Sequence, residues 1–532
     1  MSHDAHDHSP RPLAAERPGL PCVAGLRPAK QGVRVVGVPW RAPSPLPLSR
    51  KRERELCSAL ATTMLCAACA VGPDFHRPAR PDVQGYTREP LTSTAGAPVA
   101  AGLAQTFRSG TEVPERWWSS FGSPPIDRLV ERAFQHSPTV DAARAALRQA
   151  HESTAAQFGA YFPVLQAGYS PSRAGNAVGT IAPTLSSGEP VYTLHTAQVS
   201  VGFVPDVFGL NRRAVESLAA QEESQRFQLE ATYLTLASNV VAAAIQQAAL
   251  QAQVDATEEI IGTERRSLAL LRERARLGYA SALDVASQES ALAQGEQALP
   301  PLKKQLEQTR DLLAVLTGDL PAQSQPAQLD LETLNLPDQL ALSVPSKLVE
   351  HRPDVRAAEA LVHSASAEVG VALANRLPQF SISAVYGGSA TQFSRMFADS
   401  DRFWAVTGNV TQTIFDFGTL RHRQRAAEAL LDQATAQYRS VVLTAFQNVA
   451  DSLYALKSDA DALAASVTAE AAARKTLDLT RRQLDAGAVN VLALLSAQQA
   501  YQQARISRVQ AQAARFTDTA ALYQALGGAS EQ

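Results

Sequence analysis

The sequence predicts an all-α tunnel joined to a transmembrane β-barrel, built from two internal repeats in each chain and completed by further copies of the chain. Three observations lead to this prediction. A nine-residue pattern that includes Pro138 recurs around Pro353, 215 positions later (353 - 138). Four stretches of about ten residues alternate apolar and polar side chains, which is typical of strands. Two helical stretches of about 67 residues would each be about 100 Å long, too long to pack inside a globule.

The composition indicates a folded protein and excludes one class of partner. The 532 residues are 45% hydrophobic and 19% charged, which is enough apolar material for buried cores. With 49 Lys and Arg against 51 Asp and Glu the net charge is -2, and no basic stripe is present, so a nucleic-acid partner has no electrostatic basis. No uncharged apolar run of about 18 residues or more is found, so we expect any membrane crossing to use strands.

The first 69 residues contain all four cysteines, so the body of the chain has no disulfide and no thiolate metal site. Residues 51–68 contain a basic cluster and a short apolar stretch, which is the layout of a secretory signal peptide. Cys69 follows two alanines and resembles a lipobox cysteine, so we expect it to be the lipidated first residue of the mature protein. Cys66 stands where leucine is usual, and an ordinary signal cut nearby is the alternative. Residues 1–50 are interpreted as a non-native or disordered extension.

Four stretches are predicted to be strands of membrane-crossing length. They are residues 163–172, 192–204, 378–387 and 403–415. In the second of them, Val199, Val201 and Phe203 alternate with Gln198 and Ser200, which gives the strand one apolar face. Four strands cannot close a barrel, and an open edge in lipid leaves unpaired backbone groups. We therefore expect three copies of the chain to supply twelve strands.

A soluble β-sandwich would show the same alternation and is the alternative interpretation of these strands. Aromatic side chains near the predicted strand ends favour the membrane, because such residues form girdles at its two surfaces. These aromatic residues are Tyr161, Phe162, Phe208, Trp404, Phe415 and Phe417.

The long helices are predicted at residues 211–277 and 419–486, where proline is absent and Gly262 is the only internal glycine. Small and apolar residues recur at alternating steps of three and four, a coiled-coil seam that suits close helix neighbours. Shorter helices are predicted at 126–160 and 281–316, and two of them stacked end to end match the length of one long helix. Four columns in register with four strands are what a tube made from three chains would need.

Several ordered motifs resemble those of one protein family. The motifs are Ala70–Pro78, Trp117–Gly122, His351–Glu359 and Ile414–Gly418. They are similar to blocks of the TolC-like outer membrane efflux protein family, in its NodT-type lipoprotein branch, and the resemblance covers residues 69–528. It implies a homotrimer with a twelve-stranded barrel in the outer membrane and a twelve-helix tunnel through the periplasm. It also implies outer-membrane lipid, a periplasmic adaptor (membrane fusion) protein and an RND-type inner-membrane transporter as partners.

The repeat and the resemblance together divide the chain into predicted segments. After the signal peptide, residues 69–125 form a lipid-anchored N-terminal periplasmic segment. The first repeat spans 126–316, the linker or equatorial segment 317–351, the second repeat 352–526 and the C-terminal tail 527–532.

The turns after the long helices are predicted to lie at the periplasmic tip of the tunnel, where the adaptor docks and the pore is gated. Gly278 and Gly487 stop the two helices, and a glycine in the left-handed conformation permits such a reversal. The resemblance extends this assignment to Tyr279, Ser281, Val489 and Asn490. The nearest carboxylates, Asp284 and Asp485, are gate candidates. No acid follows the second turn as it often does in the family, so solvated helix ends are the favoured interpretation of both.

The predicted function is a passive conduit that exports small molecules, such as drugs or other toxic compounds, across the periplasm and outer membrane. Two alternatives remain, which are the exit duct of a type I secretion system and a lipid-tethered periplasmic coiled-coil scaffold without a pore. An enzyme is disfavoured because no nucleophile with a base, no paired carboxylates and no metal-ligand spacing stand out. We therefore expect neither a cofactor nor a metal.

Overall fold

A computed structural model gives the arrangement of most of the chain. It describes residues 70–528 except 80, 84, 176–190 and 326. The predicted extension 1–50, the predicted signal peptide 51–68 and Cys69 lie outside the described residues. The predicted tail is described only as far as Gly528.

The described chain runs through a similar order of elements twice. Two short strands, β1 (Thr106–Ser109) and β4 (Gln339–Leu342), lie ahead of the first set and between the two sets. The first set is α1 (Pro124–His136), α2 (Pro138–Phe158), β2 (Val164–Gly175), β3 (Val191–Phe203), α3 (Leu210–Arg276) and α4 (Ala282–Leu316). The second set is α5 (Pro345–His351), α6 (Pro353–Ala374), β5 (Gln379–Ala390), β6 (Arg402–Thr411), α7 (Thr419–Asp485) and α8 (Val491–Ala525). Both long helices, α3 and α7, contain 67 residues, and both α4 and α8 contain 35.

The single helix predicted at 126–160 is wrong, because the structure contains two helices there. Ser137 is extended, with φ -69° and ψ 123°, and separates α1 from α2. Pro138 occupies the first turn of α2, where its missing N–H costs nothing, whereas inside a continuous helix it would break the hydrogen bonding. The same arrangement recurs at Arg352 and Pro353, which separate α5 from α6.

Both long helices begin after a glycine with positive φ, next to an aspartate that binds free N–H groups of the first turn. Gly209 has φ 79°, and the Asp206 carboxylate accepts two helical N–H groups at 3.0 and 2.9 Å. Gly418 has φ 87°, and the Asp416 carboxylate accepts two backbone N–H groups at 2.9 and 2.8 Å. These donors, that of Leu420 foremost, hold the pKa of Asp416 below its usual range.

One stretch of α3 is long and apolar enough to cross a membrane, which the sequence analysis did not find. An 18-residue window has a mean hydropathy of 1.2, and 67% of it is buried within the chain. The prediction that no uncharged apolar run of this length occurs is therefore wrong, since residues 231–254 contain no charged side chain. Burial of this kind is expected of a core helix, and α3 contributes Val240, Val241 and Ile245 to the core.

Strands β2, β3, β5 and β6 form one antiparallel sheet in that order, and within the described residues β2 and β6 each pair on one side only. Directly opposed residues share a face of the sheet. One face contains Leu165, Val199, Val201, Phe203, Ile382, Tyr386, Trp404 and Val406. The other contains Gln166, Gln198, Ser200, Ser381, Ser383, Thr407 and Asn409, with Val164, Leu194, Val385 and Phe403 as its larger apolar members. The sheet therefore has one apolar face and one mainly polar face.

The last strand is shorter than predicted, because β6 ends at Thr411 and not at residue 415. The next residues lead into the turn that starts α7, and Phe415 and Phe417 lie there with exposed rings. Their ring centroids are 4.6 Å apart. The aromatic residues predicted at this strand end therefore lie beyond the sheet.

A second, two-stranded parallel sheet is not predicted by the sequence. β1 pairs with β4, which joins the N-terminal segment to the linker between the repeats. Next to it, Trp117 packs on Tyr523 with ring centroids 5.5 Å apart, and Phe121 packs on Phe516 at 6.1 Å. These contacts fasten the N-terminal segment to α8.

Four helical columns lie side by side on one end of the four-stranded sheet. In the half next to the sheet their order is α2, α3, α6 and α7, and in the half that ends at the turns it is α4, α3, α8 and α7. The second half therefore has α3 and α8 in the middle, while α4 and α7 lie at its flanks.

Candidate functional site at the helical tips

The first turn reverses the chain between α3 and α4. Gly278 has φ +82° and donates its N–H to the Ala275 carbonyl at 3.0 Å, and Tyr279 donates to the Arg274 carbonyl at 2.8 Å. This pattern closes the last helical turn as a Schellman-type cap does. A Cβ at Gly278 would meet nothing within 4 Å, so the positive φ, and not lack of space, is what favours glycine.

A capping box starts α4 directly after this turn. Asp284 donates its N–H to the Ser281 Oγ at 3.1 Å, while its Oδ2 accepts from the Ser281 N–H at 3.0 Å and from the Ser281 hydroxyl at 2.7 Å. Each residue thus satisfies backbone groups that a helix start leaves free. The position of Asp284 is therefore explained by the start of the helix.

The second turn repeats the first with a simpler cap. Gly487 has φ +71° and donates its N–H to the Leu484 carbonyl at 3.0 Å. Asn490 lies three residues after the glycine, as Ser281 does in the first turn, and its Oδ1 accepts from the Ala493 N–H at 3.0 Å. Asp485, the last residue of α7, is exposed. The two turns therefore share one spacing, and only the first has a carboxylate in its cap.

Apolar side chains project from both turns into solvent. Tyr279 is 82% exposed, and Leu283 is 67% exposed. Leu277 and Leu492 are also exposed, whereas Val489 is half-buried. Apolar groups of this kind, clustered at the end of a rod, are typical of a contact surface. The three leucines, Leu277, Leu283 and Leu492, were not predicted from the sequence, although each lies within six residues of a turn glycine.

Ion pairs connect α3 to α4 above the first turn. They are Arg272–Glu289 at 2.7 Å, Arg265–Glu296 at 2.6 Å and Lys303–Glu258 at 2.6 Å. All six side chains are about half exposed, so each pair contributes little to stability. The pairs recur every seven residues along both helices. They therefore favour one register of α3 against α4, although they add little stability.

At the opposite end of the columns, residues 70–77 form an N-terminal strap that lies across α3 and α6. Arg213, whose side chain is 5% exposed, donates to the Asp74 carboxylate at 2.7 Å and to the Val71 carbonyl at 3.2 Å. This hydrogen bond from Arg213 holds the pKa of Asp74 below its usual range. Gly72 lies so close to Gly370 that a Cβ would come within 2.5 Å of the Gly370 Cα.

The strap also fixes where the chain enters the fold. Val71 donates its N–H to the Phe208 carbonyl at 3.2 Å. Phe208 lies between the end of β3 and the start of α3. The residue that follows Cys69 is therefore held at the boundary between the sheet and the helices.

One described histidine, His363, lies in a contact between helices. His363 packs on the Phe75 ring at 4.4 Å, and its Nε2 lies 3.0 Å from the Glu216 Oε1. Among the described residues, no group of three or more His, Cys, Asp or Glu side chains could hold a metal ion.

A comparison with protein families finds two matches along the chain. The model of the family described as outer membrane efflux protein matches residues 129–319 and 344–528. These ranges cover the two sets of helices and strands except for the first five residues of α1, and together they make up more than half of the chain.

Relatives of nearly equal length agree with this match. The pyoverdine export outer membrane protein OpmQ of Pseudomonas putida is 31% identical over 447 residues, which are 82% of this chain and 94% of the relative. The toluene efflux pump outer membrane protein TtgC of Pseudomonas putida is 26% identical over 89% of this chain and 96% of its own length. The outer membrane protein OprJ of Pseudomonas aeruginosa is 27% identical over 88% and 95%.

Solved structures have the same fold. The outer-membrane channel OprN superimposes with a TM-score of 0.77 at 25% identity, over 86% of this chain and 99% of that chain. The CmeC outer membrane channel of Campylobacter jejuni gives a TM-score of 0.78 at 19% identity, over 87% and 96%, a likeness of fold alone. Since the family model matches both halves and relatives match most of the length, the chain belongs to the outer membrane efflux protein family, the outer-membrane channels of efflux pumps.

Proposed function

We propose that three copies of this chain form the passive exit duct of a tripartite efflux pump, with a twelve-stranded barrel in the outer membrane and a twelve-helix tunnel through the periplasm. The proposal depends above all on the four-stranded sheet, which has one apolar face and lies on columns about 100 Å long. An apolar face suits lipid, and a mainly polar face suits a water-filled lumen.

The two edges of the sheet support the oligomer. β2 and β6 each pair on one side only within the described residues, and an unpaired edge in lipid leaves backbone N–H and C=O groups without partners. Pairing β2 of one copy with β6 of the next satisfies both edges. Three copies close the ring with twelve strands.

The N-terminal strap supports a lipid anchor at Cys69. It holds the next residue, Ala70, beside Gly209 at the boundary between sheet and helices, within reach of the inner leaflet. Fatty-acid labelling of the full chain should therefore persist in Cys66→Ser and vanish in Cys69→Ser. Labelling that depends on Cys66 would contradict the assignment.

The tips support a partner in the periplasm. Tyr279 and Leu283 expose apolar surface that the helical hairpin of an adaptor could cover, and the adaptor in turn binds an RND-type inner-membrane transporter. The relatives are named for pyoverdine export, toluene efflux and antibiotic efflux. Such different cargoes suit a duct that conducts small molecules after the transporter has selected them.

Arginine substitutions on the two faces of β3 test the barrel. Val201→Arg places a charge on the apolar face and should weaken membrane assembly by about 2 to 4 kcal/mol near the midplane. Ser200→Arg, one position away on the mainly polar face, is the matched control and should be far milder. The readouts are the amount of assembled protein in isolated outer membranes and the conductance of purified protein in planar bilayers. Equal effects at the two positions would indicate a soluble core buried on both faces.

Cysteine pairs on the two edge strands test the trimer. A cysteine at Leu165 of β2, combined in turn with single cysteines along β6, should give covalent dimers and trimers on oxidation. The control pair, at Ser200 and Val385, joins β3 to β5 within one chain and should leave the protein monomeric. If no edge pair gives a covalent oligomer, the proposed closure is wrong.

A further inference from the structure

Three buried polar side chains lie above the turns, one on each of the packed helices α3, α4 and α8. Glu264 is 4% exposed, Gln288 is fully buried and Gln498 is 8% exposed. Within the described residues, the Glu264 Oε2, the Gln288 Oε1 and the Gln498 Oε1 each have no hydrogen-bond partner. Each such oxygen is costly to bury, and an ionised carboxylate is the most costly of the three.

The packing around Glu264 leaves room for its carboxyl group. Gln288 donates its side-chain N–H to the Glu264 backbone carbonyl at 3.4 Å, which holds α4 against α3 at this level. Opposite the carboxyl lies Gly295, where a Cβ would come within 3.0 Å of the Glu264 Oε2 and 3.3 Å of Ile261. Glu264 and Gln498 also line one cavity of about 200 Å³ between α3, α7 and α8.

The charged and titratable groups around this cluster are engaged elsewhere or lie across the cavity. On α4, Glu296 pairs with Arg265 at 2.6 Å, and on α8, Arg505 pairs with Glu259 at 2.7 Å. The cavity is also lined by Arg474, Asp478, Arg481 and Tyr501. Within the described residues none of them hydrogen-bonds to the Glu264 Oε2, so a proton on Glu264 is the simplest donor the cluster can gain.

We propose that Glu264 is a proton-operated latch in the helical wall, about 20 Å above the first turn. When protonated, its hydroxyl donates to the amide oxygen of Gln288 or Gln498 and holds α3 against α4 or α8. When Glu264 is ionised, this hydrogen bond is lost and a charged carboxylate stays buried between the helices, so this end of the wall loosens. The inference rests on the proposed function in one respect, which is that the end that loosens is the periplasmic opening of the duct.

The electrostatics agree with a latch that works near neutral pH. Burial, and to a smaller extent the charge of Glu296, raise the pKa of Glu264 to about 7. The native protein therefore holds a proton that the unfolded chain has already released. The stabilisation is complete below the ordinary pKa of glutamate and is lost as the pH rises to about 7.

The test uses the full-length protein and two readouts across about pH 5 to 9. The first is the midpoint of thermal unfolding, which should fall by several degrees as the pH rises in the wild type. The second is conductance in planar bilayers, which should rise several-fold over the same range. Glu264→Gln supplies an N–H donor at every pH, so the part of both profiles that Glu264 causes should disappear and both should stay closer to their low-pH values. Any slope that remains belongs to other groups such as Asp459, whose pKa burial also raises to about 7.

Two further variants keep the test decisive. Glu296→Gln removes the neighbouring like charge and should move the wild-type transition to lower pH. Glu289→Gln removes a carboxylate from an exposed pair with Arg272 and should leave the transition where it is. The latch is refuted if Glu264→Gln keeps the wild-type profile, or, should that variant not assemble, if Glu296→Gln does not move the transition. If no variant conducts, the result contradicts the proposed duct. The pH dependence of unfolding would then still test the latch, because it does not require a pore.

Discussion

The two long helices have equal length, but the rest of the chain holds them to very different degrees. α3 buries 25 residues and α7 buries 10. The contrast is largest near the turns, where α3 buries Ile261, Leu268 and Leu271, whereas α7 beyond Leu463 buries only Thr480. α3 lies between α4 and α8, while α7 lies at a flank of the columns. Within one chain the first hairpin is thus well packed, whereas few contacts hold the last turns of α7.

The largest expected effect is loss of export from bulky changes at the two turns. Asn490→Trp and Ser281→Trp should abolish efflux while the protein still reaches the outer membrane, because each puts a large ring where the proposed aperture and adaptor meet. Drug susceptibility and the amount of protein in outer-membrane fractions are the measurements. Cysteines at the same positions should crosslink to the adaptor's hairpin. Normal export without any crosslink would refute the tip assignment. An effect at Ser281 but not at Asn490 would show that the second turn is not part of the aperture.

A pair of leucine truncations measures the difference in packing directly. Leu268→Ala removes a side chain that is 6% exposed, and a cavity of that kind costs about 2 to 5 kcal/mol. Leu479→Ala lies at a similar height on α7, is 48% exposed, and should cost less than about 0.5 kcal/mol in the separated chain. Denaturant unfolding of the purified protein gives both values. If Leu479→Ala costs as much as Leu268→Ala, another copy covers that face of α7 in the assembly.

Alanine at the turn glycines should have a smaller effect. Gly278→Ala and Gly487→Ala each force a side chain into positive φ and should cost about 1 kcal/mol, since no neighbouring atom obstructs the new methyl group. Gly262→Ala is the matched control, because its φ is helical and alanine should stabilise α3 by about 0.5 to 1 kcal/mol. Thermal unfolding measures all three. Losses well above this value would mean that the turns are enclosed by other molecules.

The smallest effect is expected from the exposed ion pairs beside the first turn. Glu289→Gln breaks the pair with Arg272 and should cost about 0.2 to 1 kcal/mol at low salt, because both side chains are about half exposed. The difference from wild type should vanish in concentrated salt. A large loss that persists in salt would mean that this pair is buried in the assembly.

The helices and turns could be predicted because their signals are local. Seam residues at steps of three and four, proline-free stretches and the glycines at 278 and 487 lie within short windows, and the observed long helices begin and end within one residue of the predicted bounds. The apolar face of β3 is equally local, since Val199, Val201 and Phe203 reveal it by alternation alone.

The break at Ser137, within the single helix predicted at 126–160, is a local feature that was overlooked. Two other misses involve contacts between distant parts of the chain. β1 and β4 are too short for a periodic signal, and Thr106 pairs with a residue more than two hundred positions away. In the sequence, Glu264 looks like an exposed acidic residue of a long helix. Its burial becomes visible only when α4 and α8 are packed against α3. The lipidation predicted at Cys69 remains a prediction, as do the roles of the tip residues.

The N-terminal strap also constrains the order of folding. Arg77 bonds to Glu359, 282 positions later, and Gly72 fits against Gly370 in the same helix. Contacts so distant in sequence form slowly, because a long loop must close before they are made. The strap, made before either repeat, therefore reaches its final place only after α6 of the second repeat has packed beside α3. A docked strap thus marks a chain whose two repeats have met.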